Sequence, residues 1–509
     1  MAEMGRTRIR NKVCVGTRLV TGGGGFAHKV EWSGSLAKHR MLPPMNGFEF
    51  ERTMRALARL IAVCGCLALS AGLSAQERQE LPPAAGPMDG PVYGPVAGPV
   101  YGPTAAQPAP AYGATPAAIP DPLDLAARIA ANTHPLVDAA TAESSALDAE
   151  LRGARFRRYP SVSVEALLAT EGSSFSDQDG FALNATLEQP LWTAGRINNE
   201  IDRARASSRV GRDRIDEAER DIVLRVVAAY YDYVLAAERV TVLEASLVEH
   251  NELLAAIGRR VAQEVSPRSD YTLGLSRTAQ VELDLASTME ARDTALIRLT
   301  ELTGGVEVDP QMPPPGVSRS LPAEEVALAD ALGCSPSLAA LTNLITVAEE
   351  QRDIAYSSLW PQLLLQVSQN EITGTRAAVV LRAQLGPGNA QLRAVEAGDA
   401  RITRALAEFS ETERVLREQL RRDYVLVRAA ERRIEAGVLA TDAADQIIAS
   451  YQRQFIAGRR SWLDVMNAVR EAANARLSES DARVSAAAAT ARILALSCRW
   501  QPEAGVGAP

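Results

Sequence analysis

From Ile222 to Val261 apolar residues recur in alternating steps of four and three: Ile222, Val226, Ala229, Tyr233, Ala236, Val240, Leu243, Leu247, His250, Leu254, Ile257, Val261. Only His250 in that series is polar. A repeat of 3.5 residues predicts a long helix coiled against neighbours. The seam returns 194 residues later, weaker but in register: Leu416, Leu420, Asp423, Val427, Ala430, Ile434, Gly437, Thr441, Ala444, Ile448, Tyr451, Phe455. A duplicated long helix is therefore the frame.

The rest of the chain duplicates with it. Helices are predicted over 122–157 and 322–358, aligned through His134-Pro135 and Ser335-Pro336. Each stops at an aromatic–proline pair, Tyr159-Pro160 and Trp360-Pro361, because proline disfavours helix at the preceding residue. There the period changes from 3.5 to 2. Val162, Val164, Ala166 and Leu168 alternate with Ser161, Ser163 and Glu165; after a polar loop, Phe181, Leu183, Ala185 and Leu187 alternate with Asn184, Thr186 and Glu188. In the second copy Leu363, Leu365 and Val367 alternate with Leu364, Gln366 and Ser368. After a loop at Asn370–Thr375, Ala377, Val379, Leu381, Ala383 and Leu385 alternate with Val380, Arg382 and Gln384. These are four amphipathic strands in two hairpins. About nine residues is the length a tilted membrane-crossing strand needs, although a half-buried sheet packed on a helix fits the same pattern. Long helices at 195–262 and 389–456 follow, on the order of 100 Å each at ~1.5 Å per residue. Breakers at Glu264-Val265-Ser266-Pro267 and Ile456-Ala457-Gly458 turn the chain into return helices at 268–303 and 461–497.

The expected organisation is a first repeat over 121–303, a linker over 304–321, a second repeat over 322–500 and a tail over 501–509. Ahead of them, Met54, Arg55 and Arg59 precede an apolar run ending in Leu73-Ser74-Ala75, the pattern of a signal peptide over 54–75 cleaved after Ala75. Val63-Cys64-Gly65-Cys66 faintly resembles a lipoprotein site, but the apolar run continues past Cys66. Met54 is then the expected start, and 1–53 an upstream extension. Residues 76–120 repeat Gly-Pro-Val-Tyr and cannot bury enough apolar surface to offset the ordering entropy; a disordered arm is expected.

Composition narrows the chemistry. Aromatics make up 5% of the 509 residues, which suits slender helices. The net charge of -8 offers no basic face for nucleic acid. Cys334 and Cys498 are the only cysteines after the signal peptide, and they either pair in an oxidising compartment or serve as small buried apolar residues. No Cys/His cluster suggests a metal, and no cofactor motif is present. His250 in the seam reads as a packing residue rather than a proton relay. No Ser/His/Asp spacing or paired acid–base motif stands out, so the chain reads as a conduit and not an enzyme.

Four strands cannot close a barrel, and open sheet edges are not tolerated in lipid. A membrane-spanning form must pool strands from several subunits around a water-filled pore. Here the chain resembles the TolC family of outer-membrane channel proteins. The resemblance rests on Gln189-Pro190-Leu191-Trp192-Thr193-Ala194-Gly195-Arg196, on Tyr451 to Val465, and on the duplicated order of elements over 121–500. It implies a mainly α fold with a small β part: long helical hairpins plus four transmembrane strands per subunit. Three subunits would form a twelve-stranded barrel in outer-membrane lipid above a periplasmic helical tunnel. It implies a passive exit duct for efflux or type I secretion, working with an inner-membrane transporter and a periplasmic adaptor. The competing reading is a structural periplasmic coiled-coil or adaptor protein that never enters the membrane.

The same resemblance assigns residues. Gly458 matches the family's turn glycine, Arg460 its lock arginine and Asp464 the first aspartate of its constriction ring. Asn467 stands where a second aspartate is known, and Phe455 where a tyrosine is. Ser269 and Asp270 match the positions that partner the lock arginine, so Arg460 is expected to pair with Asp270. Glu264, Ser266, Gly458, Arg459 and Ser461 fall at the adaptor-facing tips, with Glu264 where the family usually has glycine. Asn184, Thr186, Glu188, Arg382 and Gln384 are expected to face the lumen. Phe181, Leu183, Ala185, Leu187, Val379 and Leu381 are expected to face lipid. The second junction, Leu385-Gly386-Pro387-Gly388-Asn389, departs from the family's pattern.

Overall fold

A computed structural model describes residues 116–169, 180–370, 374–383 and 390–502. All lie in one compact unit. The expected upstream extension, signal peptide and most of the Pro/Gly-rich arm fall outside them, as do the loops 170–179 and 371–373, the second junction at 384–389 and the end of the tail.

The elements run α1 (Asp121–Thr133), α2 (Pro135–Phe156), β1 (Ser161–Ala169), β2 (Gly180–Trp192), α3 (Arg196–Ala262), α4 (Arg268–Leu302), a short 3-10 turn (Val317–Ser320), α5 (Glu324–Cys334), α6 (Pro336–Ser357), β3 (Gln362–Asn370), β4 (Gly374–Arg382), α7 (Ala390–Ile456) and α8 (Trp462–Leu496). The long helices match their expected bounds to within a residue. The helices expected over 122–157 and 322–358 are each two. His134 and Ser335 sit in extended conformation, as a residue before proline prefers, and Pro135 and Pro336 open the next helix. The same two residues cap it: His134 Nδ1 accepts from the Leu136 amide at 3.2 Å, and Ser335 Oγ from the Leu338 amide at 3.5 Å. The α5–α6 pair bends by 43° there. Order also begins before Asp121: Ala118 and Ile119 are buried in the core, so the last residues of the expected arm belong to the fold.

Each long helix is packed along its length by others. α3 lies against α2 and α6 over one part and against α4 and α8 over another; α7 lies against α6 and α8. Every seam position is buried or half-buried. Ile222, Val226 and Tyr230 form a core with α1 and α8, and their equivalents Leu416, Leu420 and Tyr424 form a second with α5 and α8. α8 serves both cores because it carries alanines such as Ala487, Ala489 and Ala491 where it passes between the long helices. Each buried Leu or Ile contributes about 1.5–3 kcal/mol.

Polar residues fix what apolar packing leaves free. Asp423, 1% exposed, stands in the seam because Arg492 of α8 binds it in a fork, at 2.7 Å from Nη2. Arg239 of α3 reaches Asp481 of α8 through two bonds of 2.8 and 2.7 Å, tying the repeats together. His250 is buried, and its Nδ1–H donates to the Ser246 carbonyl at 2.7 Å. A carbonyl can only accept, so the seam histidine is held by its own helix.

Candidate functional site: a two-faced sheet and a packed helical tip

The four strands form one antiparallel sheet in the order β1-β2-β3-β4, with the two hairpins joined through β2 and β3. Directly paired residues share a face. One row across the sheet is Val162–Leu187–Val367–Ala377; the next is Ser163–Thr186–Ser368–Arg376. The register thus gathers most apolar positions on one face and most polar positions on the other; the row Ala185–Gln369–Thr375, near the loops, brings two polar residues onto the apolar face. Val162, Val164, Val379 and Leu381 are each more than half exposed on the apolar face. Leu183, Ala185 and Leu187 share it by register; the backbone of Phe181 pairs with Leu168, and its side chain lies outside what is described.

Asn184, Thr186, Glu188 and Arg382 share the opposite face. Arg382 spans β3 to reach Glu188 through two contacts of 3.2 and 3.3 Å. Gln384 lies outside the described residues. β4 spans Gly374–Arg382 rather than the expected Ala377–Leu385. Pairing with β3 moves it toward the loop, and the parity of its faces is unchanged. The polar face has one apolar row, Pro190–Leu364–Val380, near the helices; Leu364 is 2% exposed there. β1 and β4 each keep one edge with no strand paired to it among the described residues.

At the far end of the long helices, the two turns pack on each other. Leu253 and Ile257 of α3 meet Phe455, Trp462, Val465 and Met466. Phe455 is therefore a core residue of the tip, 8% exposed, with the Arg260 guanidinium 5.1 Å from its ring centre. Both long helices end in the same way. Glu264 and Gly458 take the left-handed conformation (φ 59° and 70°), and the following amides of Val265 and Arg459 bond back to the Arg260 and Gln454 carbonyls.

Ser461 caps α8: its hydroxyl accepts from the Asp464 amide at 3.2 Å and contacts the Asp464 carboxylate at 3.0 Å. Arg460 stays within its own turn. It lies 3.7 Å from the Asp464 carboxylate, 3.4 Å from Gln454 and 4.0 Å above the Tyr451 ring. The structure does not bring Asp270 to it, and Asp270 has no ion-pair partner among the described residues. Asn467 and Arg459 are exposed, and Ser266 is half-buried. Val265 and Ile456 stand bare at the tips, 61% and 84% exposed.

Two clasps that the periodicity does not announce hold the linker and the residue that follows it. The Tyr230 hydroxyl donates to the Gln311 carbonyl at 2.8 Å and accepts its amide at 2.7 Å. The Tyr424 hydroxyl donates to the Pro322 carbonyl at 2.8 Å. Burial pushes the Tyr230 phenol up to about 12, so it stays protonated. The signal was present, since the two tyrosines are 194 residues apart in the seam's own register.

Among the described residues no single helix is long and apolar enough to cross a membrane, which says nothing of strands. No group of metal-ligating side chains is found among them either.

A sequence profile of the family described as "Outer membrane efflux protein" matches residues 127–305. The alkaline protease secretion protein AprF of Pseudomonas aeruginosa is 23% identical over 312 residues, covering 57% of this chain; the chain spans 64% of the length of that protein. Three solved structures share the fold. The outer membrane protein VceC of Vibrio cholerae has 16% identity and a TM-score of 0.63, over 74% of this chain and 96% of VceC. The CmeC outer membrane channel of Campylobacter jejuni has 12% identity and 0.64, over 74% and 85%. The MtrE outer membrane channel of Neisseria gonorrhoeae, in its open state, has 16% identity and 0.62, over 74% and 88%. The profile falls on the first repeat, where the chain is similar to the outer membrane efflux protein family, and the fold it shares with these channels runs through both repeats.

Proposed function

We propose that this protein is the outer-membrane exit duct of a tripartite efflux or type I secretion system. The observation that carries the reading is the sheet. Four strands segregate apolar from polar side chains across a shared register and leave two edges open. Open edges are costly in lipid, and pairing β1 of one copy with β4 of the next removes them. Three copies give twelve strands, with the apolar face to lipid and Asn184, Thr186, Glu188 and Arg382 toward water. The long helices continue the duct into the periplasm. An inner-membrane transporter drives export through it by way of an adaptor that docks at the turns holding Glu264, Ser266, Gly458, Arg459 and Ser461.

At rest the duct closes at its tips. Arg460, held in its own turn by the i,i+4 contact with Asp464, by Gln454 and by the Tyr451 ring, exchanges to Asp270 of a neighbouring hairpin in the closed assembly. Asp464 faces the opening and favours cations.

The test is fractionation and reconstitution of the full chain. Heat-modifiable trimers in the outer-membrane fraction that conduct in planar bilayers are expected. A protein that remains in the periplasmic fraction and gives no conductance overturns the reading in favour of a soluble helical adaptor.

A further inference from the structure

Cys334 and Cys498 form a disulfide across 164 residues of sequence, with Cα atoms 6.5 Å apart. Cys334 is the last residue of α5, at the Ser335-Pro336 break; Cys498 directly follows Ser497, the C-cap of α8. Between them lie α6, β3, β4, α7 and α8, so the bond closes the second repeat into a loop.

Two asymmetries set the sulfurs apart. Cys334 is half-buried, whereas Cys498 is 5% exposed. The Arg220 guanidinium, from α3 of the first repeat, rests on Cys498 Sγ and donates to the Cys334 carbonyl at 3.2 Å; it is 3.9 Å from Cys334 Sγ. Arg220 also acts on Asp216 of its own helix, which lies beside Asp213, and Arg499, next to Cys498, pairs with Asp330 at 2.7 Å.

We infer that this pair is a thiol–disulfide exchange site with a fixed order, in which Cys334 takes the external sulfur, Cys498 resolves it and Arg220 assists. The oxidant is a disulfide of the glutathione or two-cysteine oxidoreductase class. On closing, the Cys334 thiol loses its proton and attacks that disulfide. A mixed disulfide forms on Cys334 and one thiolate leaves. The Cys498 thiolate then attacks Cys334 Sγ, the protein bond forms, and the second thiolate of the oxidant leaves. Two protons are released, and the oxidant takes up the two electrons. Opening runs the same path backwards: an external thiolate attacks Cys334, and Cys498 departs as a thiolate beside the guanidinium.

A cation next to a thiolate raises its population but lowers its nucleophilicity, so the gain in closing is moderate. The same cation makes Cys498 a better leaving group, so opening gains too. Because Arg220 comes from the first repeat, the assisted step operates only when the repeats are docked.

The experiment uses the full chain in detergent, reduced and then exposed to oxidised glutathione, with timed alkylation and peptide mass mapping to separate these cysteines from Cys14, Cys64 and Cys66. In Cys498→Ser, glutathione should accumulate on Cys334; in Cys334→Ser, Cys498 should be modified several-fold more slowly. Arg220→Gln should slow closing and also slow opening by dithiothreitol, each about threefold. In urea-unfolded chain Arg220→Gln should close at the parent's rate. Faster modification of Cys498 than of Cys334 overturns the order. An Arg220→Gln variant that opens faster than the parent, as a merely loosened structure would, or that matches it in both directions, overturns the role of Arg220.

Discussion

Tyr230 holds the linker at Gln311 and Tyr424 holds Pro322, the residue that follows the linker, each through its hydroxyl, from equivalent positions on the two long helices. Tyr230 makes two bonds with Gln311 and Tyr424 a single one with Pro322. Tyr230→Phe should therefore cost about 1–3 kcal/mol, since it strands a backbone amide and carbonyl, and Tyr424→Phe about 1 kcal/mol. Chemical denaturation of the detergent-solubilised chain measures both. The neighbouring Tyr231 hydroxyl is buried with no hydrogen-bond partner. Tyr231→Phe should be neutral or stabilising, and a loss near that of Tyr230→Phe would mean the hydroxyl is in use.

Glu264 takes a left-handed conformation that its repeat equivalent, Gly458, takes without a Cβ. For a residue with a side chain that conformation costs roughly 1–2 kcal/mol, part of which glycine returns through its larger entropy loss on folding. Glu264→Gly should stabilise the first tip by about 1 kcal/mol or less, and Gly458→Ala should destabilise the second by about 1 kcal/mol. Hydrogen exchange at the Val265 and Arg459 amides, which close the two turns, reads each effect locally. Faster exchange at Val265 in Glu264→Gly would count against a strained turn.

The sheet's two faces make opposite predictions for the same substitution. An arginine at Leu183 or Val379 should cost on the order of 2–4 kcal/mol near the bilayer midplane and less near the interfaces. At Thr186, on the other face, it should be tolerated and alter conductance. Single cysteines at Leu183 and Thr186 should label with lipid-soluble and water-soluble reagents respectively. Labelling of the Leu183 position only by the water-soluble reagent reverses the assignment.

Arg460 is held within its chain by a half-exposed i,i+4 contact with Asp464. Such a pair contributes about 0–1 kcal/mol, so Arg460→Ser should leave subunit stability nearly unchanged. In planar bilayers the same variant should conduct more than the parent, and Asp464→Ala should lower cation selectivity and block by multivalent cations. Parent-like conductance and opening statistics in Arg460→Ser would remove the lock assignment and leave the duct intact.

What the sequence determined is local and periodic. The 3.5-residue seam placed α3 and α7, because the spacing of apolar residues reports which side of a helix is covered. The change to a period of 2 after Tyr159-Pro160 and Trp360-Pro361 placed the strands and their faces, because side-chain alternation is a property of the strand itself. Pro135 and Pro336 stand inside apolar patterns that run on either side of them, so periodicity carries through a point where the backbone of His134 and Ser335 is extended.

Tertiary structure alone decided everything that joins distant segments. The end of β4 came from its pairing with β3 and not from its own alternation. Phe455 became a core residue because α3 and α8 bring Ile257 and Trp462 against it. Asp423 is admissible in the seam only because Arg492, 69 residues away, comes back along α8 to bind it. Cys334 and Cys498 pair because the α5–α6 break and the end of α8 meet beside Arg220. Periodicity records whether a position is covered; which residue covers it depends on how helices about 100 Å long are laid side by side, and no single segment carries that.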